Sequence, residues 1–443
     1  MKPRLIDSIL RADLYSFVEK VFRTLEPSVD FLHNWHIQEI ADALQKVEMG
    51  KCKRLIINMP PRYLKSICIS VGWSAWLMGR NPALKIISAS HNSNLSVKHN
   101  LDVRKILQSQ WFTDIFPDFK FTDDQNEKHK FMSSQFGFRM ATSVNSNITG
   151  EGADIIIVDD PLTPEQAFCK DSRDLVTRWF DQTLSTRLNN KKKGAIVVVA
   201  QRLHEDDLCG SLLKRGNWQH LCLPAINDNN ELLHEEREGW DEINQIKSDL
   251  GEFGFAAQYL QKPIKLDAGI IKQSWLKYYE QLPQGKIYQS WDTAIKTAAE
   301  NDYSVCITFV ETESGYYVAD ILRDKLEYPD LRRRVLAMAE KWQPAAILME
   351  DKASGQSILQ DLRTSSKLPL IAIMPRHNKL QRVAAISPII EAGKLFLPKN
   401  SGLLEMELCS FPQSANDDMV DAVSQFLNWV RSRNVAEIGI RRV

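Results

Sequence analysis

Short apolar runs alternate with helical segments through the first half of the chain, and this alternation restricts the possible folds more than any other feature. The runs are RLIIN, LKIISAS, ADIIIVDDP and GAIVVVAQRL, and segments of helical character such as SICISVGWSAWLMG lie between them. Continuous β-branched runs are typical of strands that are buried on both faces. The alternation therefore predicts an α/β fold with a parallel sheet flanked by helices.

A second α/β unit begins near residue 286, after a stretch in which this pattern is lost. Closely spaced β-rich runs, IYQSWDTA, YSVCITFV and GYYVADILRDKL, predict an antiparallel meander, and a helix and a further strand follow it. The stretch before it carries Pro263 and Gly269. We therefore predict a first domain over residues 1–250, an interdomain linker over residues 251–285 and a mixed-sheet domain over residues 286–443.

Composition excludes several classes of protein. The chain of 443 residues has 56 basic and 56 acidic side chains, so any contact with nucleic acid must use local patches. Its seven cysteines form no C-x-x-C pair, which fits a reducing cytoplasm. Charges interrupt the apolar residues of the N-terminal stretch, and no apolar run approaches the roughly 20 residues of a membrane span. We therefore expect a cytoplasmic protein without a membrane segment.

The stretch NMPPRYLKSICIS has the order of a phosphate-binding loop: an apolar strand, a tight loop, Lys65 and Ser66, and then a helical segment. In such a loop backbone N–H groups surround a phosphate, the lysine reaches the β- and γ-phosphates and the serine hydroxyl holds Mg²⁺. The usual glycines are replaced by Met59 and Leu64. Taken alone, the stretch is equally consistent with a Pro-Pro turn followed by a surface lysine.

A second motif strengthens the nucleotide interpretation. The apolar run from Ile155 to Val158 ends in Asp159 and Asp160. A carboxylate in the first position holds Mg²⁺ through water, and one in the second orients the attacking water. The alternative is an Asp-Asp-Pro turn after a strand. Upstream, Gln38 is a candidate for reading an adenine edge, or else an exposed glutamine on a helix.

Three carboxylate stations mark the second unit. Asp292 lies in its first strand and Glu350 ends a later strand, while Asp417, Asp418 and Asp421 open a helix. Clustered carboxylates repel one another unless hard cations neutralise them. Two Mg²⁺ ions about 4 Å apart can activate water and stabilise the leaving oxygen of a phosphodiester. The layout predicts an RNase H-like nuclease site, although each acid taken singly could cap a helix or end a strand.

The helix acids allow two metal-facing pairs. Asp418 and Asp421 are spaced i, i+3, whereas Asp417 and Asp421 are spaced i, i+4, so either pair shares one face of a helix. Asp417 lies nearest the N-cap and is explained by capping alone. We therefore predict that Asp292, Glu350, Asp418 and Asp421 bind metal and catalyse cleavage.

Together these motifs resemble the large subunit of tailed-bacteriophage DNA-packaging terminases along nearly the whole chain. MPPRYLKS resembles the family's proline-rich Walker A loop, ITGEGADIIIVDDP its Walker B strand and QRLHEDDLCG its coupling segment. WDTA, MEDKASG and NDDMVDAVSQF resemble its three nuclease stations. The resemblance implies a P-loop NTPase domain followed by an RNase H-like nuclease domain. It also adds Pro61 and Arg62 to the nucleotide site, where Arg62 either senses the γ-phosphate or forms a salt bridge.

The resemblance further implies how such a protein works. The cofactors would be ATP and Mg²⁺, with two ions and possible use of Mn²⁺ in the nuclease site. The partners would be double-stranded DNA, a small terminase subunit and the portal protein of a procapsid, in the cytoplasm of a bacterial host. The motor would act as a ring on the portal and would be a monomer in isolation. We expect DNA contacts from Arg376, His377, Lys379 and Arg382.

Two alternatives stay open at this stage. A DNA-repair helicase fused to a nuclease would need paired motor domains, and the motifs indicate one. A catalytically impaired prophage remnant that only binds portal or DNA is favoured by one feature, Leu64 in place of the loop glycine, since a Cβ restricts the backbone there.

Overall fold

The chain forms two units of structure, residues Met1–Ile264 and Lys265–Val443, and each is described here by itself. The computed structural model describes residues 3–146, 148, 150–264, 269–293, 303–351, 353–375, 377–414 and 416–440. Arg376, one of the predicted DNA contacts, lies outside the described residues. None of the described helices is long and apolar enough to span a bilayer.

The first unit is built on an eight-stranded sheet. Its strands are β1 Arg54–Asn58, β2 Lys85–Ser90, β3 Phe121–Asn126, β4 Lys130–Ser133, β5 Phe138–Ser143, β6 Ile155–Asp159, β7 Ala195–Ala200 and β8 Gln219–Cys222. They lie in the order β3-β4-β5-β2-β6-β7-β1-β8. In this order all neighbours from β5 to β8 run parallel, whereas β4 pairs antiparallel with both β3 and β5. The four apolar runs are β1, β2, β6 and β7, so the predicted parallel sheet is confirmed.

Helices cover both faces of this sheet. They are α1 Pro3–Ala12, α2 Leu14–Leu25, α3 Trp35–Glu48, α4 Ser74–Arg80, α5 Ser93–Leu107, α6 Gln110–Ile115, α7 Pro164–Ala167, α8 Lys170–Trp179, α9 Leu208–Leu213 and α10 Trp240–Gln258, with π-helical turns at Ile67–Trp73 and Phe180–Leu184 and a short 3-10 turn at Ser185–Arg187. Successive strand residues enter opposite cores: Ile155 and Ile157 pack on one side, Ile156 and Val158 on the other. Strands buried on both faces explain why these runs are continuously apolar.

The second unit is built on a seven-stranded mixed sheet. Its strands are β9 Lys277–Tyr279, β10 Lys286–Asp292, β11 Ser304–Glu311, β12 Tyr316–Asp324, β13 Ala346–Glu350, β14 Leu370–Ile373 and β15 Leu395–Pro398, in the order β14-β13-β10-β11-β12-β15-β9. The predicted meander is β10-β11-β12, whose neighbours pair antiparallel. Its helices are α11 Tyr328–Trp342, α12 Ala353–Ser365, α13 Lys379–Glu391, α14 Gly402–Ser410 and α15 Asp418–Ile440, with a 3-10 turn at Gln273–Trp275.

The stretch predicted as a linker, residues 251–285, contains parts of both units. The end of α10 belongs to the first unit, and β9 is the edge strand of the second sheet. Ile270, Ile271 and Leu276 are buried in the apolar core of the second unit. The division between the units falls between Ile264 and Lys265.

A fragment of residues 265–443 should therefore be more stable than a fragment of residues 286–443. The shorter fragment loses three buried aliphatic side chains, each worth about 1.5–3 kcal/mol, so we expect a difference of about 4 kcal/mol or more. Urea unfolding of both fragments measures it. Equal midpoints and slopes would show that residues 265–285 add nothing to this core.

Candidate functional site

The loop after β1 adopts left-handed backbone geometry without glycine. Arg62 has a φ of 70° and Leu64 a φ of 66°, and the helical segment begins directly afterwards at Lys65. For a residue with a Cβ this geometry costs about 1–2 kcal/mol. Leu64 packs against the apolar core of the first unit, which offsets part of that cost. The loop thus has the left-handed conformation that glycine would favour at position 64.

Lys65 is buried and forms an ion pair with Asp160, which follows β6. Its Nζ lies 2.9 Å from Oδ1 and 2.7 Å from Oδ2 of Asp160. Burial raises the pKa of Asp160 and the nearby Lys65 cation lowers it. β1 and β6 both flank β7 in the sheet, so the loop after β1 and the acids after β6 meet at one edge. The predicted residues Lys65 and Asp160 are therefore brought together.

Asp159 is fully buried beside this ion pair. Its Oδ2 accepts a 2.6 Å hydrogen bond from the Ser70 hydroxyl, whereas its Oδ1 has no hydrogen-bond partner among the described residues. Burial raises the pKa of Asp159, while Lys65, Ser70 and Ser66 lower it. An orphaned buried carboxylate oxygen close to the Ser66 hydroxyl fits a hydrated magnesium ion by donor chemistry.

The remaining predicted nucleotide contacts are Gln38, Pro61 and Arg62. Gln38 is exposed on α3 and donates a 2.8 Å hydrogen bond to Asp42. Pro61 is half-buried and Arg62 is exposed in the loop. The structure thus places Pro61 and Arg62 beside Lys65 in the chain, and it turns the Gln38 amide toward a neighbour on its own helix.

In the second unit, Asp292 ends β10 and Glu350 ends β13. The two strands are parallel neighbours, with Trp291 opposite Met349, so both acids emerge at the same edge of the sheet. Asp421 joins them from the first turn of α15. The three carboxylates line one cavity of about 570 Å³. Strand pairing alone explains why acids 58 positions apart in the sequence meet.

Burial, together with the neighbouring negative charges, perturbs the pKa of Asp292. Burial, followed by the charges of Asp421, Glu350 and Asp418, raises the pKa of Asp292 to about 8, against a lowering by Lys379. A carboxyl that stays protonated at neutral pH signals a site with too much negative charge. Carboxylate oxygens are the ligands that Mg²⁺ prefers, so by donor chemistry the residues fit divalent metal.

Cations from α13 hold Asp421. Lys379 Nζ lies 2.6 Å from Oδ2 of Asp421 and 2.6 Å from Oδ1 of Asp417, and Arg382 donates to Oδ1 of Asp421. Within the described ranges, no group of three or more acidic, histidine or cysteine side chains is close enough together to hold a metal ion. Lys379 and Arg382 were predicted as DNA contacts. In this structure they neutralise the Asp421 carboxylate of the cavity.

The helix acids have three different environments. Asp421 lines the cavity, whereas Asp418 is not among the described lining residues. The charge of Asp418 nevertheless raises the pKa of both Asp292 and Glu407, so its carboxylate lies near the site. Asp417 contacts Lys379. The structure thus brings Asp292, Glu350 and Asp421 together and leaves Asp418 beside them.

Sequence reasoning missed several partners of these sites. In the first unit they are Ser70, which binds Asp159, and the buried His99 and Arg139 close to it. The pairing of Lys379 and Arg382 with Asp421 was also missed. The two basic residues at the start of α13 could have indicated a contact with the acids. No sequence signal marked Ser70, because it lies within an apolar helical segment.

Replacing Asp292 by Asn should stabilise the metal-free second unit at alkaline pH. Between its unfolded pKa near 4 and its folded pKa of about 8, native Asp292 retains a proton that the unfolded chain releases, so its contribution to stability falls as pH rises through this window. We expect Asp292→Asn to be more stable by about 1–3 kcal/mol near pH 9 and equal near pH 4. Urea unfolding in the presence of a chelator measures the free energy of unfolding at each pH. If Asp292→Asn lost the same stability at both pH values, the prediction would be wrong.

Comparisons with known proteins bear on the fold and the family. Residues 289–429 match the model of the Terminase RNaseH-like domain. The large terminase of a thermophilic bacteriophage is similar in structure: one crystal form has 11% identity, a TM-score of 0.55 and coverage of 87% of this chain and 98% of that chain. Its complex with ATP-gamma-S has 12% identity, a TM-score of 0.53 and the same coverages, 87% and 98%.

A weaker structural match is the large terminase of bacteriophage HK97, with 12% identity, a TM-score of 0.41 and coverage of 94% of this chain and 99% of that chain. No curated protein matches the chain. The resemblance and the two-domain fold predicted from the motifs are confirmed. Residues 289–429 match the Terminase RNaseH-like domain, and the chain as a whole is similar in fold to a large terminase.

Proposed function

We propose that this protein moves double-stranded DNA into a viral procapsid by hydrolysing ATP and cuts concatemeric DNA with divalent metal ions. One observation supports this most strongly. A single chain joins a Lys65–carboxylate site at the edge of a parallel sheet to a three-carboxylate cavity in a terminase RNase H-like domain. The large terminase of the thermophilic bacteriophage compared above has been crystallised with ADP and with ATP-gamma-S.

The partners follow from the same proposal. A small terminase subunit would select the DNA site, and a portal protein would support a ring of motor subunits. The work would take place in the cytoplasm of a bacterial host. Two ions, Mg²⁺ or Mn²⁺, would occupy the nuclease cavity.

In the first unit, the chemistry depends on an exchange of partners by Lys65. Without nucleotide its ammonium is held by Asp160. When Lys65 turns to the β- and γ-phosphates, the Asp160 carboxylate is released and accepts a hydrogen bond from the attacking water. Ser66 and Asp159 would hold Mg²⁺, which would supply positive charge to neutralise the charge that develops on the phosphates. Pro61, Arg62 and Gln38 remain candidate nucleotide contacts in this proposal.

In the second unit, Asp292, Glu350 and Asp421 would hold the cations, with Asp418 completing their ligands. Metal held by these residues would supply Lewis-acid chemistry to the phosphodiester and to the attacking water. Lys379 and Arg382 have to release Asp421 for this to occur, because they occupy both of its oxygens. DNA phosphates are the natural new partners for these two cations.

A repair helicase with a fused nuclease is less well supported. Such an enzyme needs two motor domains, and the described residues form one parallel sheet with a phosphate loop and one mixed sheet. The remnant alternative rested on Leu64. Since Leu64 adopts left-handed geometry, its side chain alone does not prevent the loop from forming.

Lys65→Ala should lower DNA-stimulated ATP hydrolysis by about 100-fold or more, because it removes the cation that would neutralise the phosphates. Metal-dependent cleavage of plasmid DNA should stay within about threefold, since the acids of the nuclease cavity lie in the other unit. Phosphate release and gel assays measure the two activities. Lys193→Ala, an exposed lysine of the same unit, is the matched control. Wild-type turnover by Lys65→Ala would exclude this loop as the phosphate site.

Asn substitutions in the first turn of α15 should separate the three acids. Asp421→Asn should reduce plasmid cleavage by about 100-fold or more because a cavity carboxylate is lost. Asp418→Asn should also reduce it strongly, since its charge acts on Asp292. Asp417→Asn keeps the size of the side chain and serves as the control, with cleavage within about threefold and a stability loss of about 1 kcal/mol or less. Loss of cleavage in Asp417→Asn with retention in Asp418→Asn would show that the i, i+4 pair faces the metal.

A further inference from the structure

Arg139 on β5 is a fully buried charge that the mechanism above does not use. Its Nη1 donates a 2.5 Å hydrogen bond to Asn100 Oδ1, and its Nη2 donates a 2.8 Å hydrogen bond to the carbonyl oxygen of Ser70. Its Nε has no partner among the described residues. Among the described residues, no carboxylate forms an ion pair with Arg139.

Burying a guanidinium without an ion pair is costly. Burial lowers the pKa of Arg139 to about 9, and the negative charge of Asp159 is the largest opposing influence on that pKa. Buried charged groups with perturbed pKa values and a specific partner are concentrated at functional sites. The position of Arg139 therefore calls for a functional explanation.

Ser70 connects Arg139 to the nucleotide site. Its carbonyl oxygen accepts from Arg139, and its hydroxyl donates a 2.6 Å hydrogen bond to Oδ2 of Asp159. Ser70 lies in the π-helical turn Ile67–Trp73, which directly follows Lys65 and Ser66. π-helical turns inside helices are frequent at functional sites, and they change the carbonyl pattern of an ordinary helix. A change at Arg139 is thus transmitted to Asp159 through one residue.

Other charges near Asp159 do not replace Arg139. His99 Nδ1 lies 3.7 Å from Oδ2 of Asp159, beyond hydrogen-bond distance, and has no hydrogen-bond partner among the described residues. Lys65 is bound to Asp160, and in the proposed function it turns to the phosphates. Arg139 stays in place, because it is enclosed and held by hydrogen bonds to Asn100 and to the backbone of Ser70.

We propose that Arg139 is a positioning residue for the magnesium–nucleotide site: through Ser70 it fixes the Asp159 carboxylate for metal, and its charge offsets part of the negative charge there. This inference rests on the proposed ATPase function of the first unit. Arg139 touches neither phosphate nor metal. Its role is that of an outer-shell residue, and loss of such residues typically weakens metal binding about 10–100-fold.

The test compares Arg139→Met and Arg139→Lys with the wild-type full chain. Binding of a fluorescent ATP analogue is measured with Mg²⁺ and with chelator, alongside kcat and KM for ATP. Arg139→Met should lose most of the tightening that Mg²⁺ causes, about 10-fold or more, while metal-free affinity stays within about threefold. Arg139→Lys, which keeps the charge, should retain part of the Mg²⁺-dependent tightening that Arg139→Met loses. A merely structural role would weaken both affinities equally.

Ser70→Ala supports the test if Arg139→Met does not fold, because it removes one hydroxyl and leaves the backbone unchanged. It should reduce the effect of Mg²⁺ in the same direction. Ser74→Ala is the matched control, since Ser74 is buried one turn later and its hydroxyl has no hydrogen-bond partner among the described residues. Wild-type Mg²⁺ dependence in both Arg139→Met and Ser70→Ala would overturn this inference alone. A wild-type protein that binds no nucleotide would overturn the proposed function and this inference with it.

Discussion

An ion pair between a lysine at the beginning of a helix and a carboxylate that belongs to a cluster of acids underlies both sites. Lys65 pairs with Asp160 in the first unit and Lys379 with Asp421 in the second. Both carboxylates lie among other acids. Lys65 compensates the charge of Asp160, and Lys379 shares with Arg382 the compensation of Asp421. Removing one partner of a buried pair typically costs about 3–5 kcal/mol. The helices that begin at these lysines are therefore tied electrostatically to the acids that they face.

Sequence reasoning succeeded where burial on both faces leaves a continuous apolar run. β1, β2, β6 and β7 were all recognised in this way, and with them the positions of Lys65, Asp159 and Asp160. It failed for β5, whose sequence FRMATS contains a charge and only one β-branched residue. Arg139 was missed for the same reason. Its side chain is buried because neighbouring polar groups accept its hydrogen bonds, and no local pattern encodes those neighbours.

The linker shows a second limit. Residues 251–285 lack periodicity, yet β9 pairs with β15, and this contact joins positions more than one hundred residues apart. A three-residue strand carries too little pattern to be recognised. The nuclease acids were easier, since Asp292 and Glu350 end recognisable strands. Which of Asp417, Asp418 and Asp421 faces the cavity depends on how α15 is rotated about its own axis. The packing of α15 on the sheet determines this rotation, and the local sequence does not encode it.

The two ion pairs differ in how freely they can exchange partners. The Lys65 side chain is 7% exposed and that of Asp160 is 20% exposed, whereas the Lys379 side chain is 31% exposed. Coulomb attraction weakens as water approaches the charges, so the pair at Asp421 is the easier one to separate. Arg382, whose side chain is 17% exposed, compensates by holding the second oxygen of Asp421. In the proposed function, a phosphate that enters the first site would therefore draw one enclosed lysine away from Asp160, whereas a metal ion at the second site would compete with two more exposed cations for Asp421. In the proposed function those cations gain DNA phosphates as partners, so metal and DNA would favour each other's binding at the second site by linkage.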